Sequence, residues 1–534
     1  MKSRPGSRMA VIVLGALMAL LPSCAAGPPT QSAGTARTAA ATPAGEAPYR
    51  ISIMAPYYDR EPPDSENSPL IRALEQACAV DLEITFSPHG NYPERFTTVM
   101  ASRSIPMVIN LTSDLTSSVG YLKYVRSGAF WDLTDAIARS TLFTQELTSP
   151  AALAATAVDG RNYTFPAIAE SARVGLVYRQ DWADNLGIGA PETVQDFFDM
   201  ARAFTERDPD GNGKNDTFGF SYIDNEDKEL IYAGFDTIAV ALGAPNHWGI
   251  VGGQMLPYMM TEPYLQALRL FRDMYEKGYM NPDFPLVKGS AKYDHMVAGN
   301  AGIMFTSASN ASVPGGKFDA LADRNPGARM AYTLLFTRAD GSRVTNSVLS
   351  AGGLGGIVLS TASVPEKTDV SRIMTFFEDA QLGDNARLIA LGVEGIHYTE
   401  QPDGAITISR QQELQRVRDG TYNVCYNLIP RRVMTPDYGQ PQTPADVIRR
   451  QCVANEACAV PDLSNGLLPA EDFALMTRIS AIISDARVRF IMGHIDEQGF
   501  LDAVAQWRQQ GGDKLIQELT SGYEKAERRS SAVG

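Results

Sequence analysis

Residues 159–220, DGRNYTFPAIAESARVGLVYRQDWADNLGIGAPETVQDFFDMARAFTERDPDGNGKNDTFGF, decide how the rest of this 534-residue chain is arranged. The stretch begins with strand-like residues, and Thr193 then precedes Asp196 by three positions, which is the spacing of a helix N-cap. Apolar residues recur at helical spacing over 194–204 and form one stripe, as on a helix face that is buried in a core. The sequence therefore predicts a strand, an amphipathic helix, a loop and a second strand.

The loop after this helix has the spacing of a calcium site. Oxygen-bearing side chains stand at relative positions 1, 3, 5 and 9, with a glycine at position 6: Asp208, Asp210, Asn212, Asp216 and Gly213. Lys214 is at position 7, where the backbone carbonyl is the ligand, and Gly219 replaces the glutamate of an EF-hand at position 12. We predict a structural calcium ion whose ligands come from Asp208, Asp210, Asn212, Lys214 and Asp216. The alternative is a polar surface turn without a metal.

Several short motifs follow one another along the chain in a specific order. They are GAFWDLTDAI (128–137), DGRNYTFP (159–166), GLVYRQDWADNLG (175–187), PETVQDFFDMARAF (191–204), DPDGNGKNDTFGF (208–220), GVEGIHYTE (392–400) and RFIMG (489–493). In order and spacing they resemble the extracellular solute-binding lipoproteins of bacterial carbohydrate ABC transporters. The closest subgroup is that of the large, calcium-containing oligosaccharide binders, which include the alginate-binding proteins. The resemblance covers most of residues 49–525.

This resemblance implies a fold and a function. The expected fold is α/β, with two domains of the periplasmic-binding-protein type, a multi-strand hinge and a helical C-terminal region. The expected function is capture of an oligosaccharide in the cleft between the domains and its delivery to the permease of an ABC importer. The protein is then a monomeric receptor and not an enzyme.

The N-terminus has the features of an export signal. Residues 1–10 are basic, and residues 9–21 form an apolar run of signal-peptide length, too short to span a bilayer. Cys24 follows at once after a small residue, which resembles a bacterial lipobox. We predict a lipoprotein signal peptide over 1–24 and a lipid anchor on Cys24, which places the protein outside the cytoplasm on the cell membrane. The alternative is ordinary secretory cleavage just after Cys24.

Composition then divides the rest of the chain. Residues 25–48 are rich in Ala, Thr, Gly and Pro and predict a flexible tether. The remaining length exceeds one comfortable hydrophobic core and predicts two domains. The expected boundaries are 49–165 for the first part of the N-terminal domain, 166–350 for the second domain with the calcium loop, and 351–534 for hinge strands and helices shared by both.

Charge and cysteine content limit the possible partners and staples. The formal net charge of −14 argues against nucleic acid, which requires a basic face, but leaves an acidic ligand possible. Beyond Cys24 the chain has four cysteines, which allow three pairings: Cys78, Cys425, Cys452 and Cys458. A local Cys452–Cys458 disulfide and free thiols are both open.

Candidate ligand contacts come from loops at strand ends and from exposed aromatic or polar side chains. Strands alternate with helices from Tyr49 onward, and ligands of such sheets bind at the carboxyl ends of the strands. The loops at those ends are aromatic and polar, which suits stacking and hydrogen bonding to a sugar. The predicted contacts are Tyr57, Tyr58, Asn91, Arg173, Trp248, His397 and Tyr398. For each aromatic side chain core packing is the alternative, and for His397 a structural hydrogen bond is.

A secreted, calcium-dependent carbohydrate-active enzyme is the alternative function. Glycoside hydrolysis would need two carboxylates held about 5–10 Å apart. The sequence contains no GxSxG or HExxH motif and no cluster of paired acids in an aromatic loop. An interaction module is a third possibility, because the calcium loop resembles those of cohesin-binding modules. Such modules use two of these loops in tandem, whereas this chain has one. The family resemblance is therefore the main ground on which we favour a binding protein.

Overall fold

The computed structural model describes residues 47–57, 62–116, 118–140, 153, 157–166, 172–224, 234–287, 289–311, 318–346, 355–404, 406–421, 444–464, 467 and 470–533. The predicted signal peptide, Cys24 and nearly all of the predicted tether lie outside these residues, as do Tyr58 and Cys425.

The strands are short, and three of them are buried along their whole length: Val108–Leu111, Val174–Arg179 and Gly356–Leu359. In chain order they are β1 (Tyr49–Tyr57), β2 (Val80–Pro88), β3 (Val108–Leu111), β4 (Phe165–Pro166), β5 (Val174–Arg179), β6 (Phe218–Phe220), β7 (Trp248–Val251), β8 (Gln254–Pro257), β9 (Ala301–Ser307), β10 (Met330–Thr333), β11 (Phe336–Thr337), β12 (Arg343–Asn346), β13 (Gly356–Leu359), β14 (Thr399–Glu400), β15 (Ile406–Thr407) and β16 (Ala459–Val460).

Helices separate most of these strands and dominate the C-terminal region. In chain order they are α1 (Pro69–Cys78), α2 (Tyr92–Met100), α3 (Ser113–Thr116), α4 (Val119–Arg126), α5 (Thr134–Arg139), α6 (Gln180–Leu186), α7 (Val194–Glu206), α8 (Phe235–Leu242), α9 (Glu262–Glu276), α10 (Asp294–Ala298), α11 (Asp319–Arg324), α12 (Lys367–Asp379), α13 (Gly383–Leu391), α14 (Arg410–Arg418), α15 (Pro444–Ala454), α16 (Ala470–Ile491), α17 (Glu497–Trp507) and α18 (Asp513–Val533). None of the described helices is both long and apolar enough to cross a membrane.

Two sheets organise the described residues. The first has the order β2-β1-β3-β13-β4, and the second has the order β10-β5-β9-β6. Residues 47–166 and 355–421 pack on the first sheet and are called the first half below. Residues 172–346 and 444–533 pack on the second sheet and are called the second half. The chain passes between the halves three times, through 167–171, 347–354 and 422–443, which lie outside the described residues.

The central helix–strand stretch forms as its residues predict. Thr193 and Asp196 make a reciprocal capping box at the start of α7, which satisfies backbone donors that a helix end leaves open. Phe197, Met200 and Phe204 are buried against the second sheet. The predicted apolar stripe is therefore core.

The C-terminal helices complete the core of the second half. Side chains from α16, α17 and α18 join the same apolar cluster as α7, α8 and α9, and Phe500 stacks on Tyr264 with ring centroids 5.6 Å apart. This region is helical, as expected. Cys78 and Cys458 are free thiols, so the local Cys452–Cys458 disulfide is absent. Cys452 and Cys458 lie in the apolar core around β9, and Cys78 packs against the core of the first sheet.

A buried ion pair ties helix α16 to the residues after β6. The Arg487 guanidinium donates two hydrogen bonds of 2.7 Å to the Asp224 carboxylate, and the side chains are only 3% and 1% exposed. The Tyr222 hydroxyl donates to the same carboxylate at 2.7 Å. Removal of one partner from such a pair leaves an uncompensated buried charge.

We expect Arg487→Met to lower the free energy of unfolding by about 3–5 kcal/mol, since it leaves Asp224 buried without its cation. Chemical denaturation at neutral pH measures this. Arg50→Met is the matched control, because the Arg50–Glu83 pair is 2.8 Å long but 66% and 58% exposed; its loss should cost less than about 1 kcal/mol. Equal losses for the two variants would show that Arg487 does not hold a desolvated charge.

Candidate functional site

The carboxyl ends of β1, β2, β3 and β4 share one edge of the first sheet. β1 is parallel to β2 and β3, while β13 is antiparallel to β3 and β4. Gly356, the first residue of β13, therefore pairs with Leu111 at the end of β3 and with Pro166 at the end of β4. Two passages to the second half, after Pro166 and before Gly356, meet this edge.

The second sheet presents its own carboxyl edge to one of these passages, the one that leads from β4 to β5. β6 is parallel to β9, and β5 runs antiparallel to β9. Val174, which opens β5 after the passage from the first half, pairs with Ser307 at the end of β9. The strand register thus places the carboxyl edges of the two sheets at the two ends of one connection between the halves. That is where ligands of open α/β sheets bind.

Three of the predicted contacts lie at these edges. Tyr57 is the half-buried last residue of β1 and pairs with Pro88, and Asn91 is exposed just before α2. Arg173 immediately precedes β5, and its carbonyl accepts a hydrogen bond of 2.9 Å from Ala308 of the second edge. Tyr58 lies outside the described residues. Tyr57, Asn91 and Arg173 therefore remain candidate ligand contacts.

The structure does not support Trp248 as a ligand contact. Its side chain is 5% exposed and belongs to the core of the second half, with its ring centroid 6.1 Å from that of Trp507. The β7–β8 hairpin turns the ring inward, where it packs under the C-terminal helices. The core alternative describes this tryptophan, because its apolar ring is removed from water by packing rather than by a sugar.

His397 and Tyr398 also have partners within the protein. The His397 ring is fully buried; Nδ1 accepts from the Val393 amide at 2.8 Å, and Nε2 donates to Asp419 Oδ2 at 2.8 Å. Burial lowers the pKa of His397, so the ring is held neutral. Tyr398 is 4% exposed and accepts a hydrogen bond from Arg387 Nε at 3.2 Å. His397 therefore makes structural hydrogen bonds, which was the alternative to a ligand contact. In this geometry both His397 and Tyr398 are buried and bonded within the protein.

The sequence did not reveal a polar triangle at the second edge. Asn310 Nδ2 donates to the hydroxyls of Thr306 at 2.9 Å and Tyr293 at 3.2 Å, and these two hydroxyls are 3.0 Å apart. Thr306 lies near the end of β9, and Asn310 lies in the turn that follows. No sequence signal pointed to the triangle. An amide and two hydroxyls at this edge are suited to hydrogen bonds with a sugar.

The first edge also holds polar groups that the sequence analysis missed. The Tyr92 hydroxyl lies 2.7 Å from the Asn110 carbonyl oxygen and 3.1 Å from that of Met54, so it ties β1 to β3 near their ends. The Thr112 hydroxyl, directly after β3, is buried and makes no hydrogen bond to the described residues. A buried hydroxyl without a partner is costly, and at a ligand edge it is a natural acceptor or donor for a bound group.

The predicted calcium loop is a tight turn that is held by hydrogen bonds from its own side chains. Asp208 has a positive φ of 46°, and its carboxylate accepts from the amides of Asn212 at 3.1 Å and Gly213 at 3.0 Å. The Asn212 amide group donates to Asp210 at 2.9 Å and to Asp216 at 3.2 Å. A hydrogen-bond donor thus stands between carboxylates, in the place a cation would take.

The carboxylates of this loop repel one another. The pKa of Asp210 is raised, first by burial and then by the neighbouring charges of Asp208 and Asp216. Among the described residues, no three His, Cys, Asp or Glu side chains are already arranged to hold a metal ion. The donor set of the loop fits calcium, which accepts amide and backbone carbonyl oxygens beside carboxylates.

Close packing explains why position 12 of the loop is a glycine. A Cβ on Gly219 would lie 2.2 Å from the Ala201 carbonyl oxygen and 2.4 Å from its Cα. β6 therefore runs directly against α7, and no side chain fits between them. The glutamate of an EF-hand cannot occur here, so other oxygens must complete any coordination.

The chain has extensive relatives among curated proteins, although no family model matches it. Lipoprotein LipO of Bacillus subtilis (strain 168) is 28% identical over 484 residues, which are 89% of this chain and 92% of LipO. The polygalacturonan/rhamnogalacturonan-binding protein YtcQ of the same organism is 27% identical over 503 residues, which are 92% of this chain and 95% of YtcQ. Neither name describes an enzyme.

Solved structures of carbohydrate-binding proteins share the fold. Alginate-binding protein AlgQ2, in a crystal structure without calcium ion, has a TM-score of 0.64 at 17% identity and covers 90% of this chain and 98% of its own. A second structure is that of the ABC-transporter substrate-binding protein FusA of S. pneumoniae, an EF-hand mutant in complex with fructo-nystose. It has a TM-score of 0.63 at 16% identity, and the match covers 90% of this chain and 100% of FusA. These likenesses confirm the predicted two-domain α/β fold. The curated relatives confirm the resemblance of the chain to the solute-binding proteins of carbohydrate ABC transporters.

Proposed function

We propose that this chain is the substrate-binding protein of a bacterial ABC importer. It captures an oligosaccharide between the carboxyl edges of its two sheets and hands it to the permease. One observation carries the proposal: the strand register places the carboxyl edges of both sheets at the two ends of one connection between the halves, from Pro166 of β4 to Val174 of β5. The names of YtcQ and FusA support a carbohydrate ligand.

The polar groups at the two edges support a sugar as the ligand. The Thr306, Tyr293 and Asn310 triangle and the Thr112 hydroxyl are neutral donors and acceptors, which suit hydroxyl groups. Arg173 at the second edge would add a fork for a carboxylate if the sugar is acidic. Tyr57 would supply a stacking face at the first edge.

The same proposal includes the setting of the protein. The domain boundaries are those that composition and resemblance predict: 49–165, 166–350 and 351–534. A lipid on Cys24 would anchor the chain outside the cytoplasm, and the protein would act as a monomer. The name of LipO supports a lipoprotein.

We expect purified protein to be stabilised against heat by one class among oligogalacturonides, nystose and neutral mannooligosaccharides, since a ligand that binds only the folded state raises the melting temperature. Arg173→Ala should weaken an acidic sugar about tenfold or more, because a charge-assisted hydrogen bond is lost. Arg50→Ala is the control. Arg50 forms an exposed ion pair with Glu83 between β1 and β2, so its loss should leave the affinity unchanged.

The sugar should be recovered intact after incubation. Cleaved or unsaturated product would show an enzyme, and the absence of any shift across the panel would contradict carbohydrate binding.

We further propose that the loop 208–216 binds a structural calcium ion. The ligands would be Asp208, Asp210, Asn212 and Asp216 through their side chains and Lys214 through its carbonyl. The description of AlgQ2 without calcium ion and that of FusA as an EF-hand mutant support calcium binding in similar proteins. The ion would relieve the repulsion that raises the pKa of Asp210.

We expect Asp210→Asn to have effects of opposite sign with and without calcium. A raised pKa in the folded state means that ionised Asp210 opposes folding at neutral pH, so neutralisation should maintain or raise the melting temperature in chelator. In saturating calcium the same variant should melt below the parent, because a ligand charge is lost. Differential scanning calorimetry measures the melting temperature in both conditions. Asp199→Asn, which neutralises a partly exposed carboxylate on α7, is the control. Parent protein that melts identically with calcium and with chelator would rule out the ion.

A further inference from the structure

The segment 392–421 is mounted rigidly on the first half. The buried His397 braces the segment internally, with hydrogen bonds of 2.8 Å to Val393 on one side and to Asp419 on the other. Gln415 donates to the same Asp419 carboxylate at 2.8 Å, and the Ser68 hydroxyl donates to the Asp419 carbonyl at 2.9 Å. The segment is thereby fixed to the residues that follow β1, next to the first carboxyl edge.

Close packing fixes helix α14 further. Gly420 has a φ of 71°, and a Cβ there would lie 2.5 Å from Pro63. Arg416 donates to the Leu391 carbonyl at 2.6 Å, at the end of α13. The start of the helix is held as well, by a capping box between Ser409 and Gln412. α14 therefore has little freedom relative to the first half.

The first residue of this helix reaches the other half. Arg410 Nη2 donates to Asp323 Oδ1 at 2.5 Å, with side chains 46% and 60% exposed. Asp323 is on α11, where the neighbouring Leu321 is buried in the core around β9. The halves also touch where α16 contacts α4. The ion pair thus joins a rigid arm of the first half to the second half.

We propose that Arg410 and Asp323 form a latch that favours the arrangement of the two halves in which this pair is formed, called closed below, and that α14 is the arm that presents it. The proposal rests on the proposed function, in which closure traps the sugar. A contact that exists only in one arrangement stabilises that arrangement by its own free energy. An exposed ion pair is worth a factor of about two to five in an equilibrium. Arg410 and Asp323 would therefore tune ligand affinity without touching the ligand.

The test uses charge reversal of the full-length protein. We expect Arg410→Glu to raise the ratio of open to closed molecules about two- to fivefold, and the double variant Arg410→Glu, Asp323→Arg to restore it. Arg418→Glu is the matched control, because it makes the same charge change on the same helix, and within the described part of the chain the Arg418 side chain bonds only to Gln415. Melting temperatures of the ligand-free proteins should agree.

Double electron–electron resonance between nitroxide labels at Arg103 and Leu286 measures the distribution of distances between the halves. The labels are attached through an unnatural ketone amino acid, so the native cysteines are left alone. Both positions are exposed. Unchanged distributions for Arg410→Glu, or failure of the double variant to restore the parent distribution, would overturn the latch.

The same samples separate the latch from the proposed function. Nystose and trigalacturonate are added as probes, and a bound sugar should shift the parent distribution toward the short distance. Its dissociation should then be about two- to fivefold faster from Arg410→Glu than from Arg418→Glu. If neither probe shifts any distribution while charge reversal still does, the latch stands and binding of these sugars fails.

Discussion

Parallel strands of one sheet end at the same edge, and this constraint decides where polar groups gather in the chain. β13 enters the first sheet antiparallel to β3 and β4, so its first residue, Gly356, marks that edge. In the second sheet Val174 does the same beside Ser307. The chain leaves the first sheet after Pro166 and enters the second sheet at Val174, so one connection joins the two edges, where ligands of open α/β sheets bind. Strand direction alone decides where these edges lie, without any special residue.

The local elements of this fold could be predicted from sequence because their signals are local. A cap between Thr193 and Asp196 and an apolar stripe behind it need only neighbouring residues. The candidate site could not be predicted in the same way. Whether Trp248 faces a sugar or the core depends on Trp507, hundreds of residues away, and whether His397 is free depends on Asp419 and Val393. The triangle at Thr306 was invisible for the same reason: its side chains meet only after the strand folds against its turn.

The loop at 208–216 shows how packing reshapes a sequence motif. Its spacing matches an EF-hand up to the last ligand, where Gly219 stands. The glycine is required by the contact of β6 with α7, since any side chain would meet the Ala201 backbone. The loop therefore lacks the bidentate glutamate of an EF-hand, and the glycine in its place allows a tight junction between helix and strand. An ion there would fasten the junction, because Asp208 and Asp216 bracket the turn that leads from the helix into the strand.

Closure of such a receptor has to be reversible, and this limits how strong any contact between its halves can be. A ligand shifts an equilibrium only by the difference in its affinity for the two arrangements. A buried pair such as Arg487–Asp224 across the cleft would hold the halves shut with or without sugar, and release to the permease would be slow. The Arg410–Asp323 pair is exposed on both sides and is screened by salt, so it contributes only a small bias. The chain thus keeps its strong ion pair within one half and places a weak one between the halves, which leaves the ligand to decide between open and closed.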